Sequence, residues 1–572
     1  MPAFSALRAI AAPRFRSWGA AAIAAGLLTA CAELPVHVER PVSTALNVPA
    51  ATPLSALVQQ RRDAAKARHA SGFLLLDGPG AAYGSRLALV EGAQKTLDLQ
   101  YYAIHADAST ERLMTAISAA AARGVRVRIL LDDLHSTGRN AQVLALALEP
   151  NIQMRLFNPL SGPRGSALGR MLASLDDAQR IQQRMHNKLF LADNVFGVTG
   201  GRNLGDAYFG KGEKDNFVDL DVLAAGPIVQ DMSRSFDRYW NNERAYPVQS
   251  LMTRKELEAI RDKAQAESET ARAPSPKPPD GEPRPGAGAP SGAQRARAWD
   301  QRPMDLKQVP FVWAPTLLVV DQPGKIPVDT PGPDARRGSP GVDAKRPASL
   351  GAAGSAIADG ETVVEGLLQL IGQARRELLI ISPYFVPGAD MKKAFSDARG
   401  RGVRVRVLTN SLASNDAPVA HVGYARHREE LLAMGIELHE LRAEAATLRS
   451  ALGGSGSSGA TGESRSMLHS KALVMDGQLL VIGSMNLDLR SQLQNTELAL
   501  LIRSTELSGS AGASIENTLR DDAWRIERDG SGLVWRAPAG SGAVDVRSEP
   551  DTSAGLRLLL KLIGPLAPDS LL

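Results

Sequence analysis

The strongest constraint on this chain is that it contains the same unit twice. His186-Asn187-Lys188 is followed by Asp193 and then by Gly200-Gly201-Arg202-Asn203. His469-Ser470-Lys471 is followed at the same spacing by Asp476 and Gly483-Ser484-Met485-Asn486, 283 positions further on. A second word, Arg123-Gly124-Val125-Arg126-Val127-Arg128, recurs letter for letter as Arg401-Gly402-Val403-Arg404-Val405-Arg406 after 278 positions. Because the two offsets nearly match, the duplicated object is a folding unit and not a motif.

Each copy reads as α/β. Helix-period apolar residues (Leu87, Val90 and Ala93; Val364, Leu367 and Leu370) lead into short strands at 97–102 and 378–381. A second helix presents Leu113, Ile117 and Ala121 in one copy and Met391, Phe395 and Ala398 in the other. Gly124 and Gly402 stop these helices, and strands follow at 125–131 and 403–409. Strand, helix, strand at this spacing is a βαβ unit. The motif residues then fall on hairpins that turn at Asp193-Asn194 and Asp476-Gly477. Strand alternation puts His and Lys, two apart, on one face and the Asp on the other. Asp193 and Asp476 are therefore expected to be structural.

A phosphodiester repels nucleophiles and has a poor leaving group. One imidazole can attack phosphorus while another protonates the departing oxygen, two jobs that need opposite protonation states. His186 and His469 supply the pair. Lys188, Lys471, Asn203 and Asn486 can hold the phosphoryl oxygens and the developing charge. No acidic or thiol ligand set accompanies the histidines, so neither metal nor cofactor is expected.

The doubled H-x-K-x4-D pattern resembles the phospholipase D superfamily. Phe157-Asn158-Pro159, Asp206-Ala207-Tyr208-Phe209 and Ser382-Pro383-Tyr384-Phe385-Val386-Pro387 are similar to its cardiolipin synthase C branch. The resemblance implies two tandem α/β lobes sharing one active site, with His186 as nucleophile and His469 as acid, then base. It also implies a carboxylate that accepts the Nδ1 proton of a catalytic histidine. Aligning Asn216-Phe217-Val218-Asp219-Leu220 with Gln494-Asn495-Thr496-Glu497-Leu498 makes these carboxylates Asp219 and Glu497, with Asp221 as nearest competitor. The implied reaction is phosphatidyl transfer that makes cardiolipin from phosphatidylglycerol and a second phospholipid, phosphatidylethanolamine or another phosphatidylglycerol. Water as acceptor would make the enzyme a phospholipase D. A membrane-anchored binding protein is the alternative of a different class, and two intact half-sites oppose it.

Some residues read less sharply. His421 lies in a segment resembling the branch's substrate-facing loop, so a pocket role is expected. His37, His69, His105, His135, His427 and His439 default to surface or satisfied core positions. Arg126, Arg128, Arg404 and Arg406 read as a solvated strand face. Gly201 stands where the second copy has Ser484, a hydroxyl that could contact phosphate.

The rest of the chain sets compartment and boundaries. Residues 1–30 read as a leader whose apolar stretch is shorter than the ~20 residues a membrane span needs. It ends in Leu28-Thr29-Ala30-Cys31, which resembles a lipobox, and Cys31 is the only cysteine. Lipidation there would place the protein in a bacterial envelope, at the periplasmic face of the outer membrane. The formal charge is +5, and removing Arg8, Arg14 and Arg16 with the leader leaves +2, too little to argue for nucleic acid. The expected order is a tether at 31–70, a first lobe at 71–263, and a Pro/Gly-rich unfolded linker at 264–354 with a strand near 311–320. A second lobe at 355–505 follows, with a flexible insert at 443–466, and then a C-terminal extension at 506–572. Residues 165–183, helical in period, read as a wall against water or a plain surface helix. The leucine run at 556–563, with Arg557 and Lys561, reads as an interfacial helix or a core-packed one.

Overall fold

The computed structural model describes residues 34–572 except 47–50, 163, 165–177, 213–214, 273–289, 291, 327–361, 444–464, 531, 565–567 and 570–572. The expected leader, Cys31, the Gly/Ser-rich insert and most of the 165–183 segment thus lie outside the described residues.

Two nine-stranded sheets carry the fold. In the first, Thr96–Tyr101, Arg126–Asp132 and Ile152–Phe157 run parallel, and the hairpin Leu189–Ala192/Phe196–Gly200 adds antiparallel to Thr96–Tyr101. The second repeats this with Glu377–Ile381, Arg404–Asn410, Glu437–Leu441 and the hairpin Ala472–Met475/Leu479–Gly483. The helices read from periodicity are Pro79–Gly92 and Ala108–Ala122 in one lobe, and Val363–Ile371 and Ala389–Gly400 in the other. Leu113, Ile117, Met391 and Phe395 are all buried. Gly124 and Gly402 take the left-handed conformation (φ +93° and +84°) that ends a helix most cheaply in glycine.

The lobes meet through a common apolar core in which Phe73, Leu189 and Phe236 pack in one cluster with Leu379, Leu408 and Ile482. Short strands also pair between lobes: Asp215–Val218 runs parallel to Arg465–Leu468, and Met185 bridges to Thr496. Each motif segment is thereby stitched to the other lobe.

Several expected boundaries differ from the structure. The segment read as an unfolded linker contains the end of helix Arg254–Arg272 and the helix Gly292–Trp299. Both are fixed by contacts that average composition hides: Gln142 donates to Glu267, and Arg295 pairs with Glu111 at 2.8 Å. The strand expected near 311–320 is two strands, Val312–Trp313 on the first sheet and Thr316–Val320 on the second. The second sheet continues past 505 through Ala523–Asp529 and Gly532–Arg536. The tether is not free either. Pro41 and Ser43 carbonyls accept from Arg155 and Arg128, and helix Pro53–Ala64 buries Leu54 and Val58.

That packing explains a further correction. Arg128 is buried, not solvated: it pairs with Asp98 and Asp237 beneath the N-terminal segment. Arg406 is likewise buried and pairs with Glu377 and Glu516, whereas Arg404 stays exposed.

Asp193 and Asp476 point away from the histidine face. Asp193 accepts backbone N–H groups of Gln94, Lys95 and Thr96 at 2.7–3.2 Å. Asp476 does the same for Arg375, Arg376 and Glu377 at 2.8–3.3 Å. Each ties its hairpin turn to the start of the first parallel strand. Asp193→Ala should cost about 2–3 kcal/mol, because a buried charged acceptor of three donors is lost. Asp476→Ala, at a more exposed turn, should cost about 1 kcal/mol. Thermal unfolding of the two variants checks the order, with turnover per folded molecule kept.

Candidate active site

The two motifs converge on a cavity of about 560 Å³ whose lining includes His186, Asn203, His469 and Asn486. Its size is that of an ordinary small-molecule site. The convergence follows from backbone pairing across the lobes. His186 N–H donates to Thr496 O (2.9 Å), and His469 N–H donates to Val218 O (2.8 Å). Thr496 and Val218 immediately precede the two aligned carboxylates. Each histidine therefore meets the carboxylate of the opposite lobe: His186 Nδ1 lies 3.1 Å from both Glu497 oxygens, and His469 Nδ1 lies 2.7 Å from Asp219 Oδ2. Asp221, the competitor, is taken by Arg86 at 2.9 Å.

With both Nδ1 atoms held, the two Nε2 atoms are left to act on a substrate. Lys188 and Lys471 are buried, and each Nζ donates to the carbonyl of its own motif histidine at 2.6 Å. Asn203 is held by Ala103 N–H and Tyr208 OH, while buried Asn486 Oδ1 has no hydrogen-bond partner among the described residues.

The half-sites are unequal. Ser484 and Ser491 hydroxyls donate to Glu497. The Ser484 hydroxyl is thus spent on the carboxylate, not aimed at phosphate. Its counterpart is Gly201 because a side chain there would collide with the Asp219 carboxylate. One lobe uses the longer acid with a serine, the other the shorter acid with a glycine.

The electrostatics differ accordingly. Burial, with Lys188, Lys471 and His469 nearby, pushes His186 well below the ordinary imidazole range. Burial and Lys471 also lower His469, but Asp219 pulls it back. Burial alone would raise Asp219; His469, Lys471 and Arg202 outweigh it and hold the carboxyl below its usual range. Burial raises Glu497. Burial also brings Lys188 down to about 7 and lowers Lys471. An anion entering this box would favour the protonated form of every one of these bases. His469, beside the firmly ionised acid, is then the better proton holder, and His186 the better free base.

This gives a pH expectation. Asp219→Asn removes a negative charge 2.7 Å from His469 Nδ1, so the imidazolium is destabilised and its pKa falls. The alkaline limb of kcat/KM should move to lower pH, as a pH–rate profile would show.

Sequence reading missed part of the lining. Tyr102 and Tyr384 stand just beyond Thr96–Tyr101 and Glu377–Ile381, and His105 and His135 line the same cavity. Tyr102 packs edge-on against His186 (5.0 Å between centroids) and against His135 (4.8 Å). The available signal was their place past the C-terminal ends of parallel strands, where α/β sites form. Burial lowers His135 to about 4, so it faces the cavity as a neutral ring. Arg490 also lines the cavity, and its Nε is buried with no hydrogen-bond partner among the described residues.

His421 does not reach the site. Its Nε2 is bound by Arg428 at 2.7 Å and lies 3.3 Å from Glu549, in a separate cavity. The preceding residues Asp416, Ala417, Val419 and Ala420 line the catalytic cavity instead. Among the described residues no group of three His, Cys, Asp or Glu is arranged to hold a metal.

Two α/β lobes that exchange carboxylates onto paired motif histidines define a phospholipase D-type site. The family described as "Cardiolipin synthase, PLD-like domain" matches residues 87–240 and 367–518. Cardiolipin synthase C of Escherichia coli (strain K12) is 35% identical over 500 residues, covering 86% of this chain and 94% of that protein. A cardiolipin synthase of Geobacillus kaustophilus is 22% identical over 453 residues, covering 79% and 65%. In fold, the chain is similar to phosphatidylserine synthase of Haemophilus influenzae Rd KW20, with a TM-score of 0.51 at 12% identity over 89% of this chain and 98% of that one. The chain belongs to the cardiolipin synthase family of phospholipase D-like enzymes, as a phosphatidyltransferase with both catalytic lobes in one polypeptide.

Proposed function

We propose that the enzyme makes cardiolipin from phosphatidylglycerol and a second phospholipid through a phosphohistidine on His186. The observation that carries this reading is the unequal pair of cross-lobe dyads in one cavity. His186 Nε2 attacks the donor phosphorus, forming an N–P bond as the P–O bond to the headgroup breaks. The departing oxygen takes the proton from His469 Nε2. The terminal hydroxyl of phosphatidylglycerol then attacks the same phosphorus, gives its proton back to His469, and releases His186. Lys188, Lys471, Asn203 and Asn486 hold the non-bridging oxygens through both steps. One phosphodiester is exchanged for another of similar energy, so no activated donor is required.

The likeness to Cardiolipin synthase C supports the product, and the phosphatidylglycerol or phosphatidylethanolamine donor follows from the same reading. We place the enzyme on bilayer lipids of the bacterial envelope, anchored through Cys31 at the periplasmic face of the outer membrane. Incorporation of labelled fatty acid should be seen in the wild-type protein and lost in Cys31→Ser, whose activity in detergent persists; a wild-type protein that takes up no label would overturn the anchor.

The reaction is tested by mass spectrometry of lipids after incubation with mixed phosphatidylglycerol and phosphatidylethanolamine vesicles. Cardiolipin is the expected product, and the headgroup released identifies the donor. Phosphatidic acid alone would make water the acceptor and the enzyme a phospholipase D.

A further inference from the structure

An apolar face that nothing among the described residues covers lies on a helix that packs against one lining the catalytic cavity, and that itself lines the separate cavity holding His421. Helix Ala554–Ile563 turns Leu560 inward (6% exposed) and leaves Leu558, Leu559 and Leu562 at 61%, 52% and 66% exposed. It packs on helix Pro418–Ala433: Gly564 abuts Val422, and Arg426 donates to the Gly564 carbonyl. One turn before Val422 lie Val419 and Ala420, which line the catalytic cavity, and Val419 is itself 38% exposed. On another element, Leu493 is 54% exposed in the short helix Leu489–Leu493, which also carries cavity-lining Arg490.

Five of the nine exposed large apolar side chains among the described residues thus sit on elements that line the cavity or pack on one that does. Scattered exposed leucines are ordinary, but three on one ten-residue helix mark a contact surface.

Charge decides what kind of contact. Helix Ala554–Ile563 contains Arg557 and Lys561 and no acidic residue. Arg557 Nη1 donates to the Thr552 and Glu549 carbonyls, no carboxylate among the described residues pairs with it, and Lys561 is exposed. Apolar side chains interleaved with unneutralised cations suit the headgroup–acyl boundary of a bilayer containing anionic lipid. We propose that this helix, with Val419 and Leu493, is the face by which the enzyme seats its cavity mouth on an anionic phospholipid surface, so that headgroups enter without leaving the bilayer. This rests on the reading that the substrates are bilayer phospholipids.

The test uses the full chain carrying Cys31→Ser, so that an acyl anchor cannot hold it, with and without Leu558→Glu and Leu562→Glu. Flotation with phosphatidylglycerol/phosphatidylethanolamine vesicles should show partition that weakens with salt, and the double substitution should reduce it by about 10-fold or more. Turnover of lipids in those vesicles should fall in parallel, while turnover of monomeric dihexanoyl phosphatidylethanolamine is kept. Equal vesicle partition by both proteins would overturn the proposal. So would loss of self-association in sedimentation velocity on making the substitutions, because a second copy would then be the occupant. Vesicle binding that depends on the leucines, with neither form of lipid turned over, would instead refute the lipid-transfer reading and leave the face standing.

Discussion

Replacing His186 by alanine is expected to lower headgroup transfer and headgroup hydrolysis together by about 10,000-fold or more. In the proposed mechanism both outcomes depend on one phosphohistidine, so neither survives without the nitrogen that forms it. The substitution should leave the scaffold intact. The His186 backbone N–H stays bonded to Thr496, and Lys188 donates to the residue's carbonyl, not to its ring. Mass spectrometry of the products, with a thermal melt to confirm folding, checks this. Residual activity within about 100-fold of wild type would assign the nucleophile to His469 instead. His469→Ala should behave differently: with a p-nitrophenyl leaving group, which needs no acid, a phosphoenzyme should accumulate.

The second large effect is expected at Glu497. Glu497→Gln keeps the shape but removes the charge that fixes the His186 tautomer, and should lower kcat/KM by about 1,000-fold or more. The choice of leaving group separates the two dyads. Asp219→Asn weakens the acid, so a good leaving group should rescue its first step. Glu497→Gln weakens the nucleophile, so the same leaving group should not rescue it. If the carboxylates served the histidines of their own lobes, the two responses would be exchanged. This makes steady-state kinetics with two leaving groups a direct measure of the crossing.

The contrast shows where sequence reasoning reached and where it stopped. Strand alternation set Asp193 and Asp476 apart from their histidines, and the structure uses both to tie turns. Alignment of the two copies picked Asp219 over Asp221, because duplication gives every position a template. It could not say which histidine each acid meets. That depends on Asp215–Val218 pairing with Arg465–Leu468, two strands far apart in the chain and brought together by the apolar core. The helix Gly292–Trp299 was not legible because Pro, Gly, Ala and Ser dominate the window in which Arg295 holds it to the lobe. Arg128 was misjudged because alternation gives the face of a strand but not what covers that face. His421 directly follows cavity-lining Ala420 but turns to another face of its helix, which the local pattern of a loop entering a helix does not resolve.

The crossed dyads also set an order of events during synthesis. His186 is made early, but the acid that orients its ring lies 311 residues further along the chain. His469 finds its acid already made, 250 residues behind it. Until the second lobe has emerged from the ribosome and docked, the first carries an imidazole with no acid to fix its tautomer. A nascent chain therefore carries no complete site, and activity begins only once the second lobe has closed onto the first.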